Sequence, residues 1–109
     1  MAFSDNLKQL PPVAHLRSLE LIDPQGMVCA TIENKPGQAG SVGVYAALAA
    51  KHGRIDSMAA QEGLEIYAEH TADARANPGK HPNIDRLIHL LDSGGVLTVK
   101  LLASVTVKR

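Results

Sequence analysis

Cysteine is almost missing from this sequence, with Cys29 the only one in 109 residues. A single thiol excludes an intramolecular disulfide, a CxxC redox pair and a thiol-rich metal knuckle, so the interior suits a reducing compartment. Aromatic residues are nearly as scarce: Phe3, Tyr45 and Tyr67 are the whole set. Three rings leave little for stacking bases. Net charge is lacking too, since eleven basic residues balance eleven acidic ones. With no global field to steer it towards nucleic acid, anionic membrane or acidic substrates, the chain is expected to have no nucleic-acid partner. Long apolar runs are missing as well, none approaching the roughly 18 residues of a membrane helix. The opening MAFSDNLKQLPP carries neither the basic segment nor the apolar stretch of a signal peptide. A cytoplasmic protein without membrane contact is the expectation.

What is present suffices for one domain over residues 1–109, able to bury about two-thirds of its unfolded surface without metal or disulfide staples. No cofactor is needed for folding. A short helix is expected from Ser4, as N-cap, to about Gln9, where Pro11 and Pro12 stop it. Leu16 to Ile22 alternates, with Leu19 and Leu21 opposite Ser18 and Glu20. Met27 to Glu33 alternates again, with Val28, Ala30 and Ile32 on one face. Asp23-Pro24-Gln25-Gly26 between them has turn chemistry, so the pair reads as a β-hairpin. Ser41 then caps a helix bearing Val44, Tyr45 and Leu48, ended by Gly53. A second helix runs from Asp56 or Ser57 to about Ala76, and Asn77-Pro78-Gly79-Lys80 breaks it as a type II turn. A third starts at Pro82 and Asn83, with Asn83 as N-cap and Ile84, Leu87, Ile88 and Leu91 as its buried stripe, and closes at Gly94-Gly95. From Leu97 to Val107 apolar residues hold every odd position, the pattern of a long one-face-buried strand.

The order β-β-α-α-α-β gives an α+β fold, a small three-stranded sheet with about three helices on one face. On its wet face Ile22, Met27, Cys29, Val96 and Leu102 can merge into an apolar patch. That patch, or an overlong terminal strand, would favour a homo-oligomer or a protein partner.

Three stretches, AFSDNLKQLP from Ala2, ENKPGQAGS from Glu33 and YAEHTADARANPGKHPNIDRL from Tyr67, together resemble a family of small bacterial proteins catalogued as a domain of unknown function. The resemblance spans nearly the whole chain. It implies a bacterial, cytosolic protein and supplies no catalytic residue to carry over.

Chemistry has few places to reside. The loop KPGQAGSVG can aim backbone N–H groups at an anion, with Lys35 adding charge and Ser41 a hydroxyl around Gly37 and Gly40. It lacks the Gly-Lys-Ser/Thr triplet of a Walker motif, and its ordinary reading is a turn followed by a cap. In the segment GKHPNIDRLIHLLD, Asp85, His89 and Asp92 share one helical side, with His81 just ahead of it. Such a set can ligate a divalent metal or act as an acid–base pair, but it faces away from the buried stripe, and its ordinary reading is a solvated helical face with local charge pairing. Glu62, Glu65, Glu69 and Asp73 make an acidic stripe bordered by His70, in a region where residues 55–93 carry a net −4 against +1 before and +3 after. His52, one residue before Gly53, reads as a packing or capping residue. His15 is isolated. Cys29 lacks a cationic neighbour and reads as a structural thiol, and Ser41 lacks a nucleophile elbow.

Catalytic residues, cofactor and ligand are left unspecified by these patterns. The favoured expectation is a non-enzymatic cytosolic interaction or small-ligand-binding module, self-associating through its sheet. The alternative is a metal-dependent or acid–base enzyme on a small phosphorylated substrate, which requires the 35–41 loop and the 81–92 segment to converge in space.

Overall fold

Alternating hydrophobicity in two adjacent runs produces strands β1 (Leu16–Ile22) and β2 (Val28–Glu33) in a computed structural model that describes residues 2–104. The hairpin closes through Asp23, whose carboxylate accepts the Gln25 and Met27 backbone N–H groups at 3.0 and 2.9 Å. Gly26 takes a φ of 87°, open to glycine at little cost. A third antiparallel strand, β3 (Thr98–Ala103), pairs on the other side of β1, so the sheet order is β2-β1-β3. Before the hairpin lies α1 (Phe3–Leu7), and between β2 and β3 come α2 (Ala39–His52), α3 (Ser57–Tyr67), α4 (Glu69–Ala76) and α5 (Pro82–Ser93). The α+β reading and its order hold, with five helices where three or four were expected.

Helix α2 packs against all three strands, and α3 lies between α2 and α5. Leu19, Leu21 and Ile32 from the sheet meet Val44, Tyr45 and Leu48 from α2 and Leu87 from α5, all buried. Close approach is made possible by Gly63. A Cβ there would sit 2.7 Å from a Leu87 methyl and 2.9 Å from a Leu48 methyl.

Several boundaries differ from the sequence expectation for physical reasons. Helix α1 begins at Phe3 behind Ala2, so Ser4 is inside it and does not cap it. Helix α2 begins at Ala39, which places Ser41 inside the first turn and leaves the entry without a side-chain cap. The single helix expected over 57–76 is two helices, separated at Ala68 with φ 54° and ψ −118°. The Thr71 hydroxyl donates to the Leu64 carbonyl at 2.6 Å, and the Ala68 N–H turns to Glu65 O instead. A local side-chain bond thus offers the backbone an exit from the helix. Helix α5 starts with Pro82 in its first turn, where a missing N–H costs nothing, and His81 is the flanking residue in place of Asn83. The turn before it is as expected: Lys80 N–H returns to Asn77 O at 3.1 Å and Gly79 has a φ of 93°.

A bulge between Leu21 and Ile22 pairs Ile22 with Val28, which turns Val28 to the open face with 50% exposure against the inward face expected of it. Met27 joins it at 65% exposure, beside the exposed Cys29, while Ile22, Val96 and Leu102 are half-buried. Strand β3 lies at the edge, and Leu101 is 47% exposed although its partner Leu19 is fully buried. The part of the expected long strand from Val105 to Val107 falls outside the described residues. No helix among the described residues is long and apolar enough to cross a membrane.

Candidate functional site

The entries of α2 and α5 open on one cleft of about 680 Å³, closed on its far sides by α1 and by the α3–α4 junction. Gly37, Gly40, Ser41 and His81, drawn from two segments some forty residues apart in sequence, all line it. Lys35 does not. Its ammonium lies 2.9 Å from Glu33 on the surface. Gly40 and Ser41 lie in the first turn of α2, and neither backbone N–H donates a hydrogen bond among the described residues, as expected at that position.

In and beneath the cleft no buried side-chain nitrogen or oxygen among the described residues lacks a hydrogen-bond partner. Ser41 Oγ and Tyr67 Oη share a hydrogen bond of 2.6 Å, and the Tyr45 hydroxyl donates to the Asn83 carbonyl. Burial raises the Tyr45 pKa to about 12, partly offset by Arg86, and burial likewise pushes Tyr67 upward. Both phenols are therefore neutral at physiological pH.

Arg86 lines the cleft from the second turn of α5. Its Nη1 donates to Asn83 Oδ1 at 2.8 Å and to Tyr45 Oη at 3.2 Å, and the guanidinium carbon is 5.7 Å from the centre of the Tyr45 ring. These partners are neutral. Among the described residues no carboxylate pairs with this half-buried cation. Nor does any Asp or Glu line the cleft, although Lys80, His70 and His81 do.

Behind Lys80 and His81 stands Asp73. Its Oδ2 is 2.6 Å from His81 Nε2 and 3.0 Å from Lys80 Nζ. The bond from His81 first, and that from Lys80 second, pull the carboxyl from 3.8 down to about 2. An ionised carboxylate thus orients the His81 imidazole through one nitrogen. The His70 ring lies 5.8 Å from the His81 ring and meets Phe3 edge-on at 5.2 Å, while Phe3 stacks on Tyr67 at 5.0 Å. The backbone break at Ala68 is what brings this group together, since it aims Glu69 at the Phe3 N–H, 2.9 Å away, and so ties α1 across the junction. Asn6 adds a second tie, donating to Ile66 O at 2.9 Å.

The other sequence candidates lie elsewhere. Asp85 accepts the Gly79 N–H at 2.9 Å and so secures the turn before α5, and neither His89 nor Asp92 lines the cleft. They do not assemble into the expected metal set: among the described residues no group of three or more His, Cys, Asp or Glu side chains is placed to hold a metal. The acidic stripe is dispersed by the same break at Ala68. Glu62 bonds Lys51 and His52, Glu65 accepts from Gln61, and Glu69 faces α1. His52 Nε2 thereby shares a hydrogen bond of 3.0 Å with Glu62, where a packing or capping role was expected. Arg86 was not singled out from the sequence, although a signal exists. Its helical neighbours at three and four residues are Pro82, Asn83, His89 and Leu90, none of them a carboxylate.

The chain belongs to a family described as uncharacterized protein conserved in bacteria (DUF2322), whose model matches residues 3–101. Among curated proteins and among solved structures, none matches it.

Proposed function

We propose that this bacterial protein is a cytosolic, non-enzymatic module that binds a small anionic ligand in the cleft between the entries of α2 and α5. The observation that carries the reading is Arg86, a half-buried guanidinium held in place by neutral groups and facing a cleft without carboxylates. A desolvated charge favours a counter-ion, and guanidinium geometry matches the paired oxygens of phosphate or carboxylate. The unbonded Gly40 and Ser41 amides at the positive end of α2 add donors of the same preference. A thermal-shift series with inorganic phosphate tests it. The expected result is a rise in melting temperature for the wild type and none for Arg86→Ala; an unchanged wild type removes the reading.

One observation favours a second reading, an acid–base enzyme on the same ligand. The Asp73–His81 pair leaves the second imidazole nitrogen without a hydrogen-bond partner among the described residues. An imidazole oriented by a carboxylate at the rim of an anion cleft is a candidate general base. Turnover of a phosphate ester that disappears in His81→Gln, with phosphate binding kept, would establish it in place of the binding module.

A further inference from the structure

Resting on the anion-binding reading, we infer that the ligand is an organic phosphate with a planar aromatic body, not a bare inorganic anion. At about 680 Å³ the cleft falls in the size range of small-molecule sites, roughly 300–1,000 Å³, and inorganic phosphate would occupy only a small part of it. The rest is not uniformly polar. Phe3, Leu7, Pro82 and Ile84 line the same space as Arg86 and the first turn of α2.

The two characters meet at Gly40. A Cβ on this residue would lie 3.3 Å from the far edge of the Phe3 ring and 3.4 Å from a Leu7 methyl. The apolar wall therefore stands within van der Waals reach of the position whose N–H would face the anion. A phosphate held by Arg86 and this turn places the first atoms of its ester group against Phe3 and Leu7. An aromatic ring suits that wall. Phe3 and His70, edge-on to each other at 5.2 Å, both line the cleft and give an added ring edge-to-face or offset partners, which adds to simple burial. Phosphate is favoured over carboxylate because the Arg86 N–H groups that Asn83 and Tyr45 leave free, together with the Gly40 and Ser41 amides, can serve three oxygens where a carboxylate offers two.

Calorimetric titration of the full chain with phenyl phosphate, inorganic phosphate and benzoate decides the matter. Phenyl phosphate is expected to bind at least about tenfold more tightly than inorganic phosphate, the gain from burying most of a ring. Benzoate should bind more weakly than phenyl phosphate. Phe3→Ala should bring phenyl phosphate to within about twofold of inorganic phosphate while leaving the latter unchanged, with Phe3→Leu between the two. Equal affinity for phenyl and inorganic phosphate in the wild type, or tighter benzoate, overturns the inference and leaves the anion reading standing. Loss of inorganic phosphate binding in Phe3→Ala also overturns it, since the ring would then hold the site and not the ligand. No heat from any of the three removes the anion reading itself.

Discussion

Arg86 shows how a residue's surroundings can matter more than its type. Its neutral partners fix the guanidinium without discharging it. At ten times its dissociation constant, a ligand of the folded state adds about 1.4 kcal/mol. That is about 5 °C of melting temperature in a domain of this size, and Arg86→Ala should abolish the shift in a fluorescence melt. Asp73 makes a second test. Its carboxyl is held at about 2, below its ordinary 3.8, by bonds from His81 and Lys80. Its contribution to stability is thus whole above pH 3.8 and lost as the pH falls through 2. Wild type should lose stability more steeply than Asp73→Asn over that interval in chemical denaturation. Gly37, Gly40, Ser41 and His81 could be singled out in the sequence because glycine, hydroxyl and imidazole are the residue types of anion sites. Arg86 carried only the faint signal of having no carboxylate at helical spacing, because its value depends on Tyr45 and on a cleft without carboxylates, both set by tertiary packing.

At the scale of elements, α3 and α4 show where sequence periodicity stops being informative. Ala60, Leu64, Tyr67, Ala68 and Thr71 fit one helical stripe, and nothing local marks Ala68 as the residue with positive φ. The deciding event is the Thr71 hydroxyl taking the Leu64 carbonyl, a bond between residues seven apart. Alanine at φ 54° and ψ −118° is strained, whereas glycine tolerates that region. Ala68→Gly is therefore expected to stabilise the fold by about 1 kcal/mol in urea denaturation. Gly63 should show the reverse. Its helical position would gain from alanine, yet the new methyl meets Leu87 and Leu48 inside a packed core. Gly63→Ala should cost about 1–2 kcal/mol net. Strand β1, α2 and α5 were legible because each carries a periodic set of buried residues, although Ser18 is buried as well, whereas β3 has no fully buried residue and was legible from its alternation alone. The bulge that turns Val28 outward was not, since it depends on how β2 registers against β1.

For the molecule as a whole, the sheet leaves β2 and β3 as edges and carries Met27, Val28 and Leu101 on its surface. We expect a weak homo-oligomer through this surface, and Val28→Lys should lower its average mass in light scattering at high concentration; a monomeric wild type would dismiss it. The central place of β1 has a different outcome during synthesis. Its partner β3 lies almost eighty residues downstream, so one side of β1 stays unpaired until the helices and residues 98–103 have left the ribosome. The hairpin is thus made early and completed late, and in that interval its open edge is a natural client for chaperones.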